Sequence, residues 1–287
     1  MTRNVLRSLM LVMFTALVTM TWVVDAAATT SIAACGQSLS KRGETYVLTG
    51  DLTSSGGDCL IVGADSITID LKGHSISGFD GTGAGIREGD AGWLATTVRS
   101  STTKPGTIQG FQYGIDLASS TRSQILNITS KGNTTNGMIL GNRALVKGCT
   151  ASSNAWYGIE ALDYAQVQDS VASANGAGGI LVGNSSLLVR NRADNNVNSE
   201  FSDSYVSGII AGSRATLTGN YVGDNAGSGL EVGPQSQVNS NYSENNLGIG
   251  MRVSCPSTVA NNQSYLNGGS DYEMYPETCR TTNNKHD

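Results

Sequence analysis

The chain has 287 residues, a net charge of −5 and only 14% charged side chains, but 36 glycines. Ordinary domains carry about 25% charged residues, and the mild acidity without basic clusters excludes a nucleic-acid-binding protein. Small polar residues replace the missing charge and alternate with regularly placed aliphatic residues, which predicts one elongated, ordered domain rather than a disordered chain.

The first predicted element is an export signal over residues 1–28. The basic start MTRNVLR precedes the apolar run SLMLVMFTALVTMTWVV, and Ala26 and Ala28 suit a cleavage site after Ala28. The run is long for a signal and slightly short of the ~20 residues of a membrane helix, so a retained anchor is the alternative. Once the signal is removed, we expect no membrane span and a secreted, periplasmic or cell-surface location.

Four of the five cysteines lie in two pairs near the ends of the exported part. Export favours disulfides, and proximity in sequence pairs Cys35 with Cys59 and Cys255 with Cys279. The sequence IAAC that ends at Cys35 loosely resembles a lipoprotein box. Lipidation there is an alternative, but it would leave Cys59 without a partner.

A repeat of 21 residues organises the body of the chain. A glycine recurs at 114, 137, 158, 179, 208, 229 and 250, and an asparagine recurs at 133, 154, 175, 196, 225, 246 and 267. Between these markers, three short stretches alternate in polarity as strands do. Three strands per coil predict a parallel β-solenoid of roughly ten coils over 59–270, with an N-terminal cap at 29–58 and a C-terminal cap and tail at 271–287.

A second row of asparagines, Asn191, Asn220, Asn241 and Asn262, lies between the second and third strands of successive coils. Asparagine tolerates the left-handed conformation of a sharp bend, and its amides can stack from coil to coil. The marker glycines are expected where the chain turns tightly. Cys149 occupies the same row in an earlier coil, and we expect a buried small residue rather than a nucleophile.

Two segments carry a family resemblance. DCLIVGADSITIDLKGHSISG (58–78) and CPSTVANNQSYLNGG (255–269), followed by a second cysteine, resemble a group of secreted right-handed parallel β-helix proteins of bacteria. The resemblance implies an all-β, right-handed, single-stranded parallel β-helix. It implies less about function, because this architecture serves pectate-lyase-like enzymes, polygalacturonases, uronate epimerases, periplasmic copper-maturation proteins and adhesins.

The repeat is interrupted twice, by about eleven residues within Glu88 to Pro105 and by eight within Val197 to Ser207. Such loops form the walls of a groove on a rigid solenoid. In the carbohydrate-active β-helices that the chain resembles, the groove lies along the first strand. Its outward row here includes Glu160, Glu231 and Arg252.

Two carboxylates of a glycosidase lie within about 5 to 10 Å of each other. Glu160 and Glu231 are three coils apart, roughly 14 Å by strand spacing, which is too far. Glu231 and Arg252 lie in adjacent coils, and a surface ion pair is the simplest interpretation.

The third strand offers a second candidate surface. Its outward rows contain Arg192, Asp194, Tyr221, Tyr242, Glu244 and Tyr265. Stacked tyrosines beside carboxylates and an arginine can hold sugar rings by packing against the ring faces. Aromatic residues also favour exposed strand positions without any ligand.

Other chemistry finds little support. The only histidines, His74 and His286, are too few for a histidine relay or a copper site, and no run of aspartates suits calcium. We therefore expect no metal and no cofactor. We expect Asp70, Lys72 and His74 to shape the first turn. Chemistry with lysine or arginine as the base stays open, so the sequence does not decide whether the protein is an enzyme.

A third surface is apolar. Outward positions of the central coils carry Ile139, Leu145, Leu181, Leu187, Val189 and Ile210. An exposed apolar patch marks association. Two functions therefore stay open: a β-helix that binds, and in a stronger form cleaves or epimerises, a polysaccharide along one strand face, or a non-catalytic surface, structural or adhesion protein. The second would form a homo-oligomer or bind a protein partner through Leu181, Leu187 and Ile210.

Overall fold

The computed structural model describes residues 29–89, 91–197, 206–276 and 278–287. The export signal expected over 1–28 lies outside the described residues. So does segment 198–205, which contains most of the second insertion.

The described residues form 34 short strands in three parallel sheets of 12, 11 and 11 strands. Neighbouring strands of a sheet come from successive coils, so that Ile159 pairs with Ile180 and Val167 with Leu188. The fold is a right-handed parallel β-helix of about 11 coils, with no helix in the described ranges. This architecture confirms the fold predicted from the repeat.

The first sheet contains the strands that follow the marker glycines: Gln37–Leu39, Leu60–Val62, Ala84–Glu88, Tyr113–Leu117, Met138–Leu140, Tyr157–Ala161, Gly178–Val182, Ile209–Ala211, Leu230–Val232, Met251–Ser254 and Tyr272–Tyr275. The second sheet contains Thr29–Ile32, Thr45–Leu48, Thr68–Asp70, Thr97–Arg99, Gln124–Leu126, Leu145–Lys147, Gln166–Gln168, Leu187–Val189, Thr216–Thr218, Gln237–Asn239, Thr258–Ala260 and Arg280–Thr282. The third sheet contains Leu52–Thr53, Ser75–Ser77, Gly106–Gln109, Ile128–Lys131, Thr150–Ser152, Val171–Ser173, Arg192–Asp194, Tyr221–Gly223, Tyr242–Glu244, Gln263–Tyr265 and Lys285–His286.

The core is a set of side-chain columns that run along the axis of the rod. Ile159 and Ile180 of the first sheet and Val167 of the second sheet are completely buried. Small residues such as Ala151 and Ala172 fill the third-sheet column, also without exposure. Burial of each large aliphatic side chain stabilises the fold by about 1.5 to 3 kcal/mol.

Two ladders of buried asparagines connect the coils. In the predicted row, the Asn220 amide donates to Oδ1 of Asn241 at 2.9 Å, which confirms the expected stacking. The marker asparagines form a second ladder, in which the Asn154 amide donates to Oδ1 of Asn175 at 3.0 Å. The backbone N–H of Asn154 donates to the same oxygen at 3.1 Å. Each amide therefore satisfies polar groups that burial would otherwise leave without partners.

The left-handed residues differ from the prediction. The predicted row of asparagines does not adopt a positive φ. The residue before each of them does so instead, as at Arg190 and Ser240 (φ 53° and 55°). The asparagines are therefore selected for the hydrogen bonds of their amides and not for backbone conformation.

The marker glycines also have a different role from the one expected. Gly137, Gly158 and Gly208 do not adopt a positive φ. A Cβ at Gly158 would lie 2.6 Å from the Asn175 amide nitrogen and 2.9 Å from the Gly179 carbonyl oxygen. Glycine is therefore needed because the asparagine ladder of the next coil passes directly against the backbone. This contact explains why asparagine and glycine share one period.

Both predicted disulfides are formed, Cys35–Cys59 and Cys255–Cys279. The segments 29–58 and 271–287 contribute strands to the same three sheets as the body. Their capping role stays a prediction. Cys149 is a free, buried cysteine, in agreement with the sequence analysis.

Candidate functional site

The residues of the third-sheet surface form one connected group, which we call the tyrosine cluster: Arg192, Tyr221, Tyr242, Glu244 and Tyr265. Arg192, Tyr221 and Tyr242 occupy the same register position on three successive coils. The Tyr221 and Tyr242 hydroxyls donate to the two oxygens of Glu244, at 2.7 and 2.9 Å. One carboxylate therefore holds both phenols.

The rings of the tyrosine cluster cover one another. Tyr221 and Tyr242 stack with centroids 5.8 Å apart and planes 8° apart, and Tyr265 lies 6.2 Å beyond Tyr242. The Arg192 guanidinium lies 4.4 Å from the Tyr221 ring centroid. Both faces of Tyr221 are therefore occupied by protein groups. Neither face of Tyr221 is therefore open to a sugar ring, and sugar binding by the rest of the third-sheet surface stays a prediction.

Electrostatics reinforce the same conclusion. Burial, and then the hydrogen bond to Glu244, raise the pKa of Tyr221 to about 12. Arg192 is paired with Asp194 at 3.1 Å, a contact that raises the pKa of the arginine. Gly223 leaves room for the Tyr221 hydroxyl, because a Cβ there would lie 2.5 Å from it. Within the tyrosine cluster, the Tyr221 and Tyr242 hydroxyls and the Arg192 guanidinium therefore all have partners from the protein itself.

The outer face of the first sheet has a different character. Glu160, Leu181, Ile210 and Glu231 form one row, each in register with the next coil. Tyr157 points outward from the same strand as Glu160. We call these five residues the phenol–carboxylate face. They bring together two residues predicted as candidates, Glu160 and Glu231, with the tyrosine that the sequence analysis missed.

Tyr157 lies where its neighbour leaves space. It pairs in register with Gly178 of the next coil, and a Cβ at that glycine would lie 2.8 Å from Cε1 of the tyrosine. The ring is half-buried across this gap, and its hydroxyl has no hydrogen bond to any other described residue. Burial raises the pKa of Tyr157, and the charges of Glu160 and Glu231 raise it further.

The two carboxylates are held in place. Asn136 donates its amide to Glu160, and the Ser207 hydroxyl donates to Glu231 at 2.8 Å. Arg252 lies 3.6 Å from Glu231 and 3.2 Å from Glu273. The ion pair indicated by the sequence is therefore present, and the arginine is shared between two carboxylates.

The apolar surface is discontinuous. Leu181 and Ile210 are adjacent in register, but Glu160 separates Leu181 from Ile139. On the second sheet, Gln166 separates Leu145 from Leu187. All of these apolar side chains are half-buried rather than exposed. The structure thus replaces the expected exposed strip with short, interrupted segments.

Three polar residues of segment 58–78, Asp70, Lys72 and His74, lie at a turn of the first coils. Asp70 is buried, and its Oδ1 accepts the backbone N–H groups of Lys72 and Ser101 at 3.0 Å. Lys72 adopts a left-handed conformation with φ 51°. His74 lies 3.5 Å from Asp51. These contacts agree with a role in shaping the turn.

Among the described ranges, no group of three or more histidine, cysteine or carboxylate side chains is arranged to hold a metal ion. No helix in that part of the chain has the length and apolar character needed to cross a membrane.

Comparison with known proteins identifies a family model and several solved structures that are similar to this chain. A family model described as right handed beta helix region matches residues 51–197. A search of curated protein sequences found no match. Among solved structures, the A-module of the mannuronan C-5 epimerase AlgE6 from Azotobacter vinelandii is 10% identical, with a TM-score of 0.69 and coverage of 91% of each chain.

Two further structures are similar. Pectate lyase Pel9A is 14% identical, with a TM-score of 0.52 and coverage of 84% of this chain and 70% of that one. The Dettilon tailspike protein is 12% identical, with a TM-score of 0.56 and coverage of 87% and 62%. At these identities, the likeness concerns the fold alone.

Proposed function

The chain belongs to the right-handed β-helix family, and on this premise we propose that it is an exported protein that binds a polysaccharide along the phenol–carboxylate face. The observation that carries the proposal is Tyr157, a half-buried phenol without a hydrogen bond to any described residue, next to two fixed carboxylates.

The shape of the face suits an extended ligand. From Glu160 to Glu231 the row crosses three coil spacings, about 14 Å, and the strands that carry it pair in parallel and in register. A polysaccharide that runs parallel to the rod axis passes all four residues of the row in turn. The rigid scaffold keeps these side chains in place, so little ordering is required on binding.

The chemistry of the face suits sugar rings. Carboxylate oxygens accept hydrogen bonds from sugar hydroxyls, and charge-assisted hydrogen bonds are the stronger kind. Leu181 and Ile210 offer an apolar surface to the C–H groups of a ring. Tyr157 adds an aromatic edge and a hydroxyl that no other described residue engages in a hydrogen bond, so that it can donate to or accept from a sugar.

Export is supported by independent features. The two disulfides are typical of proteins that fold outside the cytoplasm. The sequence of residues 1–28 has the order of a secretory signal. The epimerase and the pectate lyase of similar fold have polysaccharides as substrates by their names, which favours the same ligand class here.

Catalysis is not part of the proposal. Glu160 and Glu231 are about 14 Å apart by strand spacing, beyond the separation at which paired carboxylates cleave a glycosidic bond. An ultraviolet assay for unsaturated products, on any acidic polysaccharide that binds, tests lyase activity directly.

Assembly through Leu181, Leu187 and Ile210 is the weaker candidate, because the apolar residues are half-buried and interrupted by Glu160 and Gln166. Light scattering of the exported protein tests it. A concentration-dependent oligomer that Leu181→Asp and Leu187→Asp dissociate would support assembly.

The test of polysaccharide binding compares variants of the two candidate surfaces. The exported protein is screened on a glycan array, and the affinity for a bound polysaccharide is then measured by calorimetry. We expect Tyr157→Ala and Glu160→Gln each to weaken binding at least tenfold. The matched control Tyr242→Ala, which removes a tyrosine of the tyrosine cluster, should leave the affinity unchanged.

Two results would contradict the proposal. Absence of binding to every glycan on the array would remove the function. Loss of binding in Tyr242→Ala but not in Tyr157→Ala would move the site to the third sheet. Circular dichroism of each variant verifies that the fold is intact.

A further inference from the structure

A depression lies at the corner between the first and second sheets. It is separate from the tyrosine cluster and from the phenol–carboxylate face. Its volume is about 460 Å³, and it is lined by Leu94, Arg122, Asn142, Arg143, Asp163 and Tyr164. We call it the corner pocket. Its size falls within the range of about 300 to 1,000 Å³ that is usual for small-molecule sites.

Three residues of the pocket occupy one structural position. The backbone N–H of Arg122 donates to Asn142, that of Arg143 to Asp163, and that of Tyr164 to the next coil, at 2.8 to 2.9 Å. The corners of successive coils are therefore stacked. Arg122, Arg143 and Tyr164 come from consecutive coils and lie side by side along the rod.

The backbone at these positions is unusual for long side chains. The φ angles of Arg122, Arg143 and Tyr164 are 60°, 60° and 61°, in the left-handed region that glycine and asparagine adopt most readily. The same corner is left-handed in other coils as well, at Ser185, Arg214 and Gln235, so the conformation belongs to the repeat and is not confined to the pocket.

The charges in the pocket are incompletely balanced. Among the described residues, neither the Arg122 nor the Arg143 guanidinium lies within 4.0 Å of a carboxylate oxygen. The Asp163 carboxylate also lines the pocket but pairs with neither arginine, and its Oδ1 accepts the backbone N–H of Asn184 at 2.7 Å and the amide of the same residue at 3.2 Å. Two like charges on neighbouring coils repel each other, and an anion between them would relieve that repulsion.

Apolar groups complete the pocket. Leu94 is 48% exposed and Tyr164 is 52% exposed, although both are large hydrophobic residues. The Arg143 guanidinium lies 5.7 Å from the Tyr164 ring centroid, and both residues line the depression. Leu94 belongs to the first insertion and is bridged to Thr121 of the next coil. The insertion thus supplies one wall.

We propose that the corner pocket binds a small ligand that carries an oxyanion, with Arg122 and Arg143 holding the anion and Tyr164 and Leu94 contacting its carbon skeleton. A guanidinium presents paired N–H donors that match the geometry of a carboxylate, sulfate or phosphate. The apolar wall favours an anion attached to an organic ring or chain over a free inorganic ion. This site does not include Tyr157 or Glu231 and does not depend on polysaccharide binding along the first sheet.

The test uses small anions as probes of the whole exported protein. Glucuronate, inorganic sulfate and inorganic phosphate are titrated by calorimetry, with glucose as the neutral control. We expect saturable binding of glucuronate, weaker binding of the two inorganic ions, no binding of glucose, and loss of affinity as sodium chloride is raised. Arg122→Gln and Arg143→Gln should each reduce the glucuronate affinity at least tenfold.

The matched control is Arg214→Gln. Arg214 occupies the same corner position on a later coil with φ 58°, but it does not line the pocket. A decisive second variant is Arg143→Gly, which removes the guanidinium and also relieves the left-handed strain. It should unfold at an equal or higher temperature than the parent protein while losing glucuronate binding, so that a folding defect cannot explain the loss.

Three outcomes would overturn the inference: no saturable binding of any anion, binding that Arg122→Gln and Arg143→Gln leave unchanged, or equal loss of affinity in Arg214→Gln. Inorganic ions that bind as tightly as glucuronate would remove the proposed role of Leu94 and Tyr164. The polysaccharide proposal is tested separately, by the effect of Tyr157→Ala on the affinity for a polysaccharide.

Discussion

Substitution of Asn175 by alanine tests the mechanism that holds the coils together. Asn175 lies in the middle of the ladder of marker asparagines and is completely buried. Its Oδ1 accepts the backbone N–H and the side-chain amide of Asn154, at 3.1 and 3.0 Å. Its own amide donates to the Ala151 carbonyl at 3.1 Å and to Asn196 at 3.0 Å. Alanine removes all four hydrogen bonds.

The magnitude follows from the groups that lose their partners. Two N–H groups of Asn154 remain buried without an acceptor, and each unsatisfied group costs about 1 to 3 kcal/mol. The acceptor on Asn196 is less affected, because the backbone N–H of residue 175 still donates to it at 3.1 Å. We therefore expect Asn175→Ala to lower the free energy of unfolding by about 2 to 6 kcal/mol.

Urea unfolding, monitored by circular dichroism, measures the loss. Asn239→Ala is the matched control, because the side chain of that asparagine lies at the surface and makes only exposed hydrogen bonds. It should change stability by less than about 0.5 kcal/mol. Hydrogen exchange at the backbone N–H of Asn154 should accelerate in Asn175→Ala. A loss of less than about 1 kcal/mol, or equal effects of the two substitutions, would show that the ladder is not a main source of stability.

Three further predictions concern single residues. Gly158→Ala should cost about 1 to 3 kcal/mol in urea unfolding, because its Cβ would lie 2.6 Å from a ladder amide, whereas Gly50→Ala, with nothing within 4 Å, should be neutral; equal costs would contradict the packing argument. Burial raises the pKa of Cys149 to about 12, so the thiol should resist alkylation at pH 8 until the protein is unfolded, and rapid reaction of the native protein would show that it is accessible. The raised pKa of Tyr221 means that the folded state keeps its proton after the unfolded chain has lost it; the associated stability is complete below about pH 10 and is lost as the pH rises toward 12. Ultraviolet titration should show this late ionisation step, Tyr221→Phe should remove it, and Glu244→Gln should move it to lower pH.

The repeat was sufficient to predict the fold because the aliphatic residues that recur in it are the ones that form the inward columns. Ile159 and Val167 each belong to a column that must remain aliphatic in every coil, and both are completely buried. The physical role of the marker glycines was not predictable in the same way. Their period agrees equally well with a turn or with a close contact, and only the position of the ladder amide beside Gly158 distinguishes the two.

The candidate surfaces were predicted only in part. The period correctly placed Glu160 and Glu231 in one outward row, but it could not indicate that Arg192 and Tyr242 cover the faces of Tyr221. It also gave no reason to select Tyr157. Outward side chains choose their orientations from contacts with the neighbouring coils, and such contacts are invisible in a pattern that treats each coil alike.

The contrast between inward and outward side chains also indicates where a functional site can lie in this architecture. The inward columns and the asparagine ladders supply stability, so an outward position can change with little effect on the fold. Regularity on the outside therefore carries little information about function, and local departures from it carry more. Two such departures are visible: Tyr157 extends over Gly178, which has no side chain, and Arg122 and Arg143 lie on neighbouring coils without a carboxylate within 4.0 Å among the described residues. Each places a polar group that has no matched partner among the described residues on the surface of a regular scaffold, which is the condition under which a scaffold of this kind can bind a ligand.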